Sequence, residues 1–248
     1  MYTQRLILIV WIMSLVACTG TTNQDNNELA VPQHKPLSVQ AAEQPKKWWV
    51  ARHDEKLVEK QKMQSVDMVF IGDSITHAFD YKSKAIWEQY YAPRNALNIG
   101  FNGDRTEHVL WRLQHGAIDN IQPKLVVLMI GTNNTGHRQD SPEDTASGIK
   151  AILKEITRKL PDTQVLLLAI FPRGETPDSP LRKINDTVNN IIQEYDDGDR
   201  VHYLNINHVF LDANGNLSRD VMKDLLHPNK DQYEHWAKAI EPMIENLL

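Results

Sequence analysis

Five short runs of mostly Val, Ile and Leu punctuate this chain, at Met68 to Ile71, Ala96 to Ile99, Leu125 to Ile130, Gln164 to Ala169 and Val201 to Leu204. Each passes into polar or glycine-rich sequence, and longer amphipathic stretches separate them, the pattern of buried parallel strands joined by helices. The stretches Thr106 to Gln114, Pro142 to Lys159, Leu181 to Tyr195 and Lys230 to Leu247 are the expected helices, with Ser141-Pro142 placing a cap residue before a first-turn proline. This alternation predicts an α/β fold, a five-stranded parallel sheet covered by helices on both faces. A chain of 248 residues with 41% hydrophobic residues suits one such core better than two.

Net charge and its distribution narrow the partners. A formal charge of -5 and a mean hydropathy of -0.46, with charges spread along the chain, exclude a basic nucleic-acid surface.

The N-terminus departs from this composition. Arg5 precedes an apolar run from Leu6 to Val16, broken by Ser14 and ending at Ala17-Cys18. It is shorter than the roughly 20 residues a spanning helix needs, so residues 1–17 read as a signal peptide. Cys18 is the chain's only cysteine, which excludes a disulfide within the monomer. Leu15-Val16-Ala17-Cys18 resembles the lipobox of bacterial lipoproteins, which implies lipidation of Cys18, a membrane anchor there and a place in the cell envelope. An ordinary secretory signal ending near a lone cysteine is the alternative. Residues 18–47 are polar and carry no aromatic side chain after Cys18, so they are expected to form a flexible tether, with the folded domain spanning 48–248.

In an open parallel sheet, ligands collect beyond the carboxyl ends of the strands. GDSIT (72–76) follows the first expected strand, NGD (102–104) the second, GTNN (131–134) the third, and DLLHP (224–228) precedes the last helix. Each supplies one part of an ester-hydrolysing site. A serine hydroxyl is a poor nucleophile without a base and a group to orient that base. Ser74 is the candidate nucleophile and His227 the candidate general base and then acid. Asp224, three residues earlier, holds the imidazole, and Pro228 biases His227 away from helix. The N–H groups of Ser74 and Gly103 and the Asn133 side-chain amide are candidate oxyanion donors. Taken singly, each has a plainer reading: Asp73 or Ser74 as a helix cap, Gly103 and Asn133 as turn formers, Asp224 to His227 as a surface turn. Their order and their place at strand ends make chance agreement improbable.

With Ser74, Gly103, Asn133 and His227 at the four naming positions and Asp224 at the acidic one, the chain resembles the SGNH (GDSL-type) hydrolases. The segments HVLWRL, GTNN, FPRGE and LRKIN resemble the platelet-activating-factor acetylhydrolase catalytic-subunit branch, over a span from about Trp48 to the C-terminus. The resemblance implies a three-layer α/β/α, flavodoxin-like sandwich, no metal or other cofactor, a shallow site without a strained elbow, and short acyl esters as substrates. Asn102 stands where a second glycine is usual and Arg105 where a small hydroxyl residue is common, which puts substrate carry-over in doubt.

Further residues carry two readings each. Asp73 and Arg105 lie beside the nucleophile and the oxyanion loop as candidate substrate contacts, although Arg105 also reads as a partner for Asp104. Arg173 in FPRGE reads as a group recognising phosphate, carboxylate or sugar, or as a loop partner of Glu175. Trp48 and Trp49 read as core packing more than as a sugar platform. Trp111 is expected in the core, His137 beside the pocket, and His108 and His115 in solvent. No histidine cluster has metal-ligand spacing. The leading expectation is hydrolysis of acetyl-type oxygen esters, through an acyl-enzyme on Ser74, with a small-molecule or glycan ester as partner and acetylated carbohydrate as the leading class. The alternatives are a phospholipid or lysophospholipid acylhydrolase, and a non-catalytic glycan-binding module of the envelope.

Overall fold

In the computed structural model, which describes residues 35–248, the five apolar runs form one sheet. Its strands are β1 (Met68–Gly72), β2 (Ala96–Gly100), β3 (Leu125–Met129), β4 (Gln164–Leu168) and β5 (Val201–Leu204). Every pairing is parallel and the order is β2-β1-β3-β4-β5. The order reverses between β1 and β3, so a crevice opens beyond their carboxyl ends. Gly72 pairs with both Gly100 and Met129, which brings the segments following β1, β2 and β3 to one level.

Seven α-helices surround the sheet among the described residues: α1 (Lys47–Lys62), α2 (Ser74–His77), α3 (Lys84–Tyr90), α4 (Thr106–Gln114), α5 (Pro142–Lys159), α6 (Pro180–Ile192) and α7 (Gln232–Leu247). α4 and α5 have the expected bounds, and Ser141 Oγ caps α5 by accepting the Asp144 N–H at 3.0 Å. α6 gains Pro180 at its first turn and tightens into a 3-10 turn at Gln193–Tyr195, while α7 starts two residues later than expected.

Strand alternation divides the core into two layers. Val69, Ile71, Leu97, Ile99, Val126 and Leu128 face Trp49 of α1 and the apolar sides of α4, α5 and α6. Met68, Phe70, Val127, Leu166 and Leu168 face the opposite layer, where Phe79, Trp87, Tyr233 and Trp236 cluster. Each Val, Leu, Ile, Met or Phe among them contributes about 1.5–3 kcal/mol when fully buried. The expected three-layer α/β/α sandwich is the observed one.

The domain begins earlier than expected. Residues 35–47 are packed on it rather than extended as tether: Ser38 and Gln44 are buried, and Leu37–Val39 form a 3-10 turn. Ala41 packs against the core, and most of the fastening is by hydrogen bonds. Ser38 Oγ donates to the Asp144 carbonyl, Thr106 Oγ1 donates to the Ser38 carbonyl, and the Ala42 N–H donates to the Glu107 carbonyl. The signal peptide, Cys18 and the tether up to His34 lie outside the described residues. Among those described, no helix is long and apolar enough to cross a membrane.

Candidate active site

β1 ends at Gly72, and Asp73 caps α2 by accepting the Ile75 N–H on Oδ1 at 2.9 Å. Ser74 is therefore the first residue of a helix, where main-chain N–H groups lack intrahelical acceptors and point outward. α2 lies close against β2, since a Cβ on Gly100 would sit 2.3 Å from the His77 nitrogen. From the other side, Tyr233 of α7 donates its hydroxyl to the Ile75 carbonyl at 2.9 Å.

The second half of the site arrives on the loop before α7. Asp224 Oδ1 accepts the N–H groups of Leu226 and His227 at 3.1 and 2.8 Å, an Asx-type turn that carries Leu225 into left-handed backbone at φ 58°. This turn, with Asn229 bonded back to Val221 and Lys223, aims the imidazole across the crevice. His227 Nε2 lies 2.9 Å from Ser74 Oγ and His227 Nδ1 lies 2.6 Å from Asp224 Oδ2. With the proton on Nδ1 facing the carboxylate, Nε2 is left as an acceptor for the serine proton. Burial opposes ionisation of Asp224, but the hydrogen bonds from the His227 main chain and ring outweigh it and hold the carboxyl below its ordinary range.

The oxyanion candidates meet at the same place. Phe101 to Asp104 form a tight turn closed by the Asp104 N–H on the Phe101 carbonyl at 3.1 Å, and Gly103 occupies its positive-φ position at 75°. The Gly103 N–H has no acceptor among the described residues. One N–H of the Asn133 amide donates to the Asp104 carbonyl at 2.9 Å, which leaves the second for a ligand. The two asparagines of GTNN divide their work. Asn134 turns away and accepts the Thr106 N–H at 3.0 Å, at the start of α4.

Behind these donors sits a feature that motif reading missed. The Asp104 carboxylate is fully buried, accepting Trp49 Nε1 and Gln44 Nε2 on Oδ1, both at 2.6 Å, and Arg112 Nε and Nη2 on Oδ2 at 2.9 and 2.7 Å. The sequence signal is an acid in NGD and a base eight residues on in HVLWRL, yet a lone acid in a turn and a lone base on a helix ordinarily face solvent.

A cavity of about 360 Å³ lies over Ser74, Gly103, Asn133 and His227, walled by Tyr81, Lys82, Asn102, His137 and Leu226. His137 stands where expected; burial, then the cationic Arg105, Arg173 and Lys46, lower its pKa below the ordinary value. Three expected substrate contacts do not line this cavity. Asp73 is buried as the α2 cap, and that burial raises its pKa to about 7, against the opposing Ile75 N–H. Arg105 pairs with Glu107 at 2.6 Å rather than with Asp104, whose carboxylate is already filled. Arg173 passes beneath the π-helical turn Asn134–Arg138 to donate to the Thr132 carbonyl at 2.9 Å, and makes no bridge to Glu175.

Other expectations divide similarly. Trp49 is buried while Trp48 is 40% exposed, and Trp111 is half-buried with its ring stacked on that of His115. His115 is exposed as expected, but His108 is buried, its Nδ1 accepting the Arg105 N–H at 3.0 Å and so closing the first turn of α4. Burial lowers the His108 pKa to about 4. Among the described residues no cluster of His, Cys, Asp or Glu could hold a metal ion.

The chain's relatives share this arrangement's family. Residues 70–235 match the model of the GDSL-like Lipase/Acylhydrolase family. Platelet-activating factor acetylhydrolase IB subunit alpha1 of Homo sapiens is 35% identical over 218 residues, 88% of this chain and 91% of that one. Subunit alpha2 of Gallus gallus is 34% identical over 225 residues, covering 90% and 93%. The fold is shared with a GDSL-like lipase from Bacteroides thetaiotaomicron, at TM-score 0.67, 20% identity and coverage of 80% of this chain and 99% of that one. It is also shared with an acetylxylan esterase from Geobacillus stearothermophilus, at TM-score 0.58, 16% identity and coverage of 72% and 94%. The chain belongs to the GDSL-like lipase/acylhydrolase family and is a hydrolase of the SGNH type.

Proposed function

We propose that this protein hydrolyses short-chain, acetyl-type oxygen esters through an acyl-enzyme on Ser74, with carbohydrate acetyl esters as its leading substrate class. The observation that carries the reading is the continuous relay from Ser74 Oγ through both His227 nitrogens to Asp224 Oδ2, opening under a cavity of about 360 Å³. That volume is at the low end for small-molecule sites, which favours a small acyl group.

In this scheme His227 removes the hydroxyl proton as Ser74 Oγ attacks the ester carbonyl carbon. The carbonyl oxygen gains the displaced electron pair and is met by the N–H groups of Ser74 and Gly103 and the spare N–H of Asn133. The imidazolium then gives its proton to the leaving alkoxide, and water, activated by the same imidazole, releases the acid and restores the serine. The curated relatives are named as acetylhydrolases of platelet-activating factor, which favours a phospholipid acetyl ester as the second reading. Lipidation of Cys18 and an envelope location complete the proposal, and mass spectrometry of the mature N-terminus tests them.

The substrate test is a series of nitrophenyl esters followed by acetylated oligosaccharides and short-chain phospholipid acetyl esters. Acetate is expected to give the highest kcat/KM, and faster cleavage of octanoate contradicts the short-acyl assignment. Greater kcat/KM on the phospholipid ester than on every sugar ester favours the second reading.

A further inference from the structure

We infer that Gln44, on the N-terminal strap ahead of α1, is a positioning residue that fixes the Gly103 oxyanion donor, so that the strap is a working part of the active site. This rests on the esterase reading above.

The geometry is specific to the carboxamide. Gln44 Nε2 donates to the Asn102 carbonyl at 3.1 Å and to Asp104 Oδ1 at 2.6 Å, so one amide group bonds the residues on either side of Gly103. A Cβ on Gly103 would lie 3.8 Å from both Gln44 Nε2 and Oε1, so the carboxamide faces the side of that glycine from which a side chain would project. Gln44 is only 5% exposed, and it lies outside residues 70–235 that match the family model. Within the loop, Trp49 and Arg112 bind only the Asp104 carboxylate, whereas Gln44 alone among these three also reaches the Asn102 side.

Gly103 is the position where such a brace matters most. Glycine has the widest backbone freedom of any residue, and a left-handed φ of 75° is one of several basins open to it. Its N–H has no other acceptor among the described residues to hold its direction. An oxyanion donor acts only if it is already aimed where negative charge develops, so a loop free to rock lowers the rate of the chemical step more than substrate binding. The strap is independently fastened at Ser38, through Asp144 and Thr106, and at Ala42, through Glu107. Gln44 therefore reaches the loop from an anchored base.

The test compares Gln44→Met, which keeps the volume and removes both donors, with Arg94→Met, which breaks the Arg94–Glu241 ion pair at the amino end of β2, the end away from the site. Four quantities are measured on the full chain: kcat and KM on nitrophenyl acetate, the rate of Ser74 labelling by a fluorophosphonate, and thermal stability. The phosphonyl oxygen of that probe occupies the oxyanion position, so labelling reports on the hole directly. Gln44→Met is expected to lower kcat and the labelling rate by about ten- to a hundredfold with KM within twofold of the unaltered protein. Arg94→Met is expected to retain kcat within twofold even where its melting temperature falls as far. Equal kcat in Gln44→Met and the unaltered protein, or parallel losses in the two variants that track melting temperature, overturn the role of Gln44. An unaltered protein that neither turns over ester nor takes label overturns the esterase reading itself.

Discussion

The Arg112 guanidinium and the Asp104 carboxylate form a wholly buried, two-pronged ion pair immediately behind the oxyanion loop, with Arg112 also donating to the Ile99 carbonyl at 3.0 Å. Burial raises the Asp104 pKa and lowers that of Arg112, and the contact between them opposes both shifts. Arg112→Met leaves the carboxylate without its counter-charge, and urea unfolding should show a loss of about 3–5 kcal/mol. Adding Asp104→Asn should recover part of it, because the stranded charge is then gone. A single-variant loss below about 1 kcal/mol contradicts the account of this pair.

Asp73 gives a pH signature. Its folded pKa of about 7 lies above the ordinary carboxylate value because burial disfavours the charged form. The native state therefore binds more protons than the unfolded chain between roughly pH 4 and 7, and this residue's contribution to stability falls as pH rises through that window. Asp73→Asn keeps an oxygen to cap Ile75 but removes the titration. Relative to the unaltered protein, the variant should gain stability from pH 4.5 to pH 7.5, and curves that run parallel across this interval contradict the assignment.

Asp224→Asn tests the orienting role of the carboxylate. The variant retains an oxygen for the Leu226 and His227 N–H groups, so the Asx-type turn survives. What it loses is a charged acceptor for Nδ1–H. kcat on nitrophenyl acetate should fall by roughly three to four orders of magnitude with KM little changed. Activity within tenfold of the unaltered protein contradicts a catalytic role for this residue.

Gly100 and Gly103 should respond differently to alanine. At Gly100 the new Cβ meets the His77 main-chain nitrogen at 2.3 Å, and neither strand nor helix has room to yield. About 3 kcal/mol of stability should be lost. At Gly103 the nearest atoms are 3.8 Å away and only the φ of 75° is strained, so the cost should be about 1 kcal/mol. Thermal unfolding that ranks the two in reverse order contradicts the packing of α2 on β2.

Much of this architecture is legible in the sequence because its strands are buried on both faces. Val69 and Phe70 serve opposite layers yet must both be apolar, so β1 reads as one uninterrupted run. α5 announces itself by Ser141-Pro142 and an apolar side that persists over its full length. α1 does not, because its buried face includes His53, Lys56 and Lys60, whose polar ends bond carbonyls and carboxylates. Reading periodicity from apolar residues alone passes over such a helix. The strap fails the same test: Ser38 and Gln44 are ordered by hydrogen bonds to partners 58 to 106 residues away, which local composition does not record. His108 reads as a solvent-facing residue on the same helix as His115, because the bond its ring accepts from the Arg105 N–H exists only once the first turn of α4 is formed.

Within the site, Ser74, Gly103, Asn133, Asp224 and His227 come together as their motifs foretell, since each follows directly from a strand end or a short turn. Asp73, Arg105 and Arg173 do not, because charge next to a motif says nothing about direction. Each of the three is occupied by a main-chain group or a neighbouring acid.

The most direct test of the central claim, that Ser74 is a nucleophile activated by His227, is labelling with a fluorophosphonate followed by peptide mapping. A single phosphonylated peptide containing Ser74 is predicted in the unaltered protein, with labelling lost in Ser74→Ala and strongly slowed in His227→Ala. Label on another residue, or ester turnover that persists in Ser74→Ala, contradicts it.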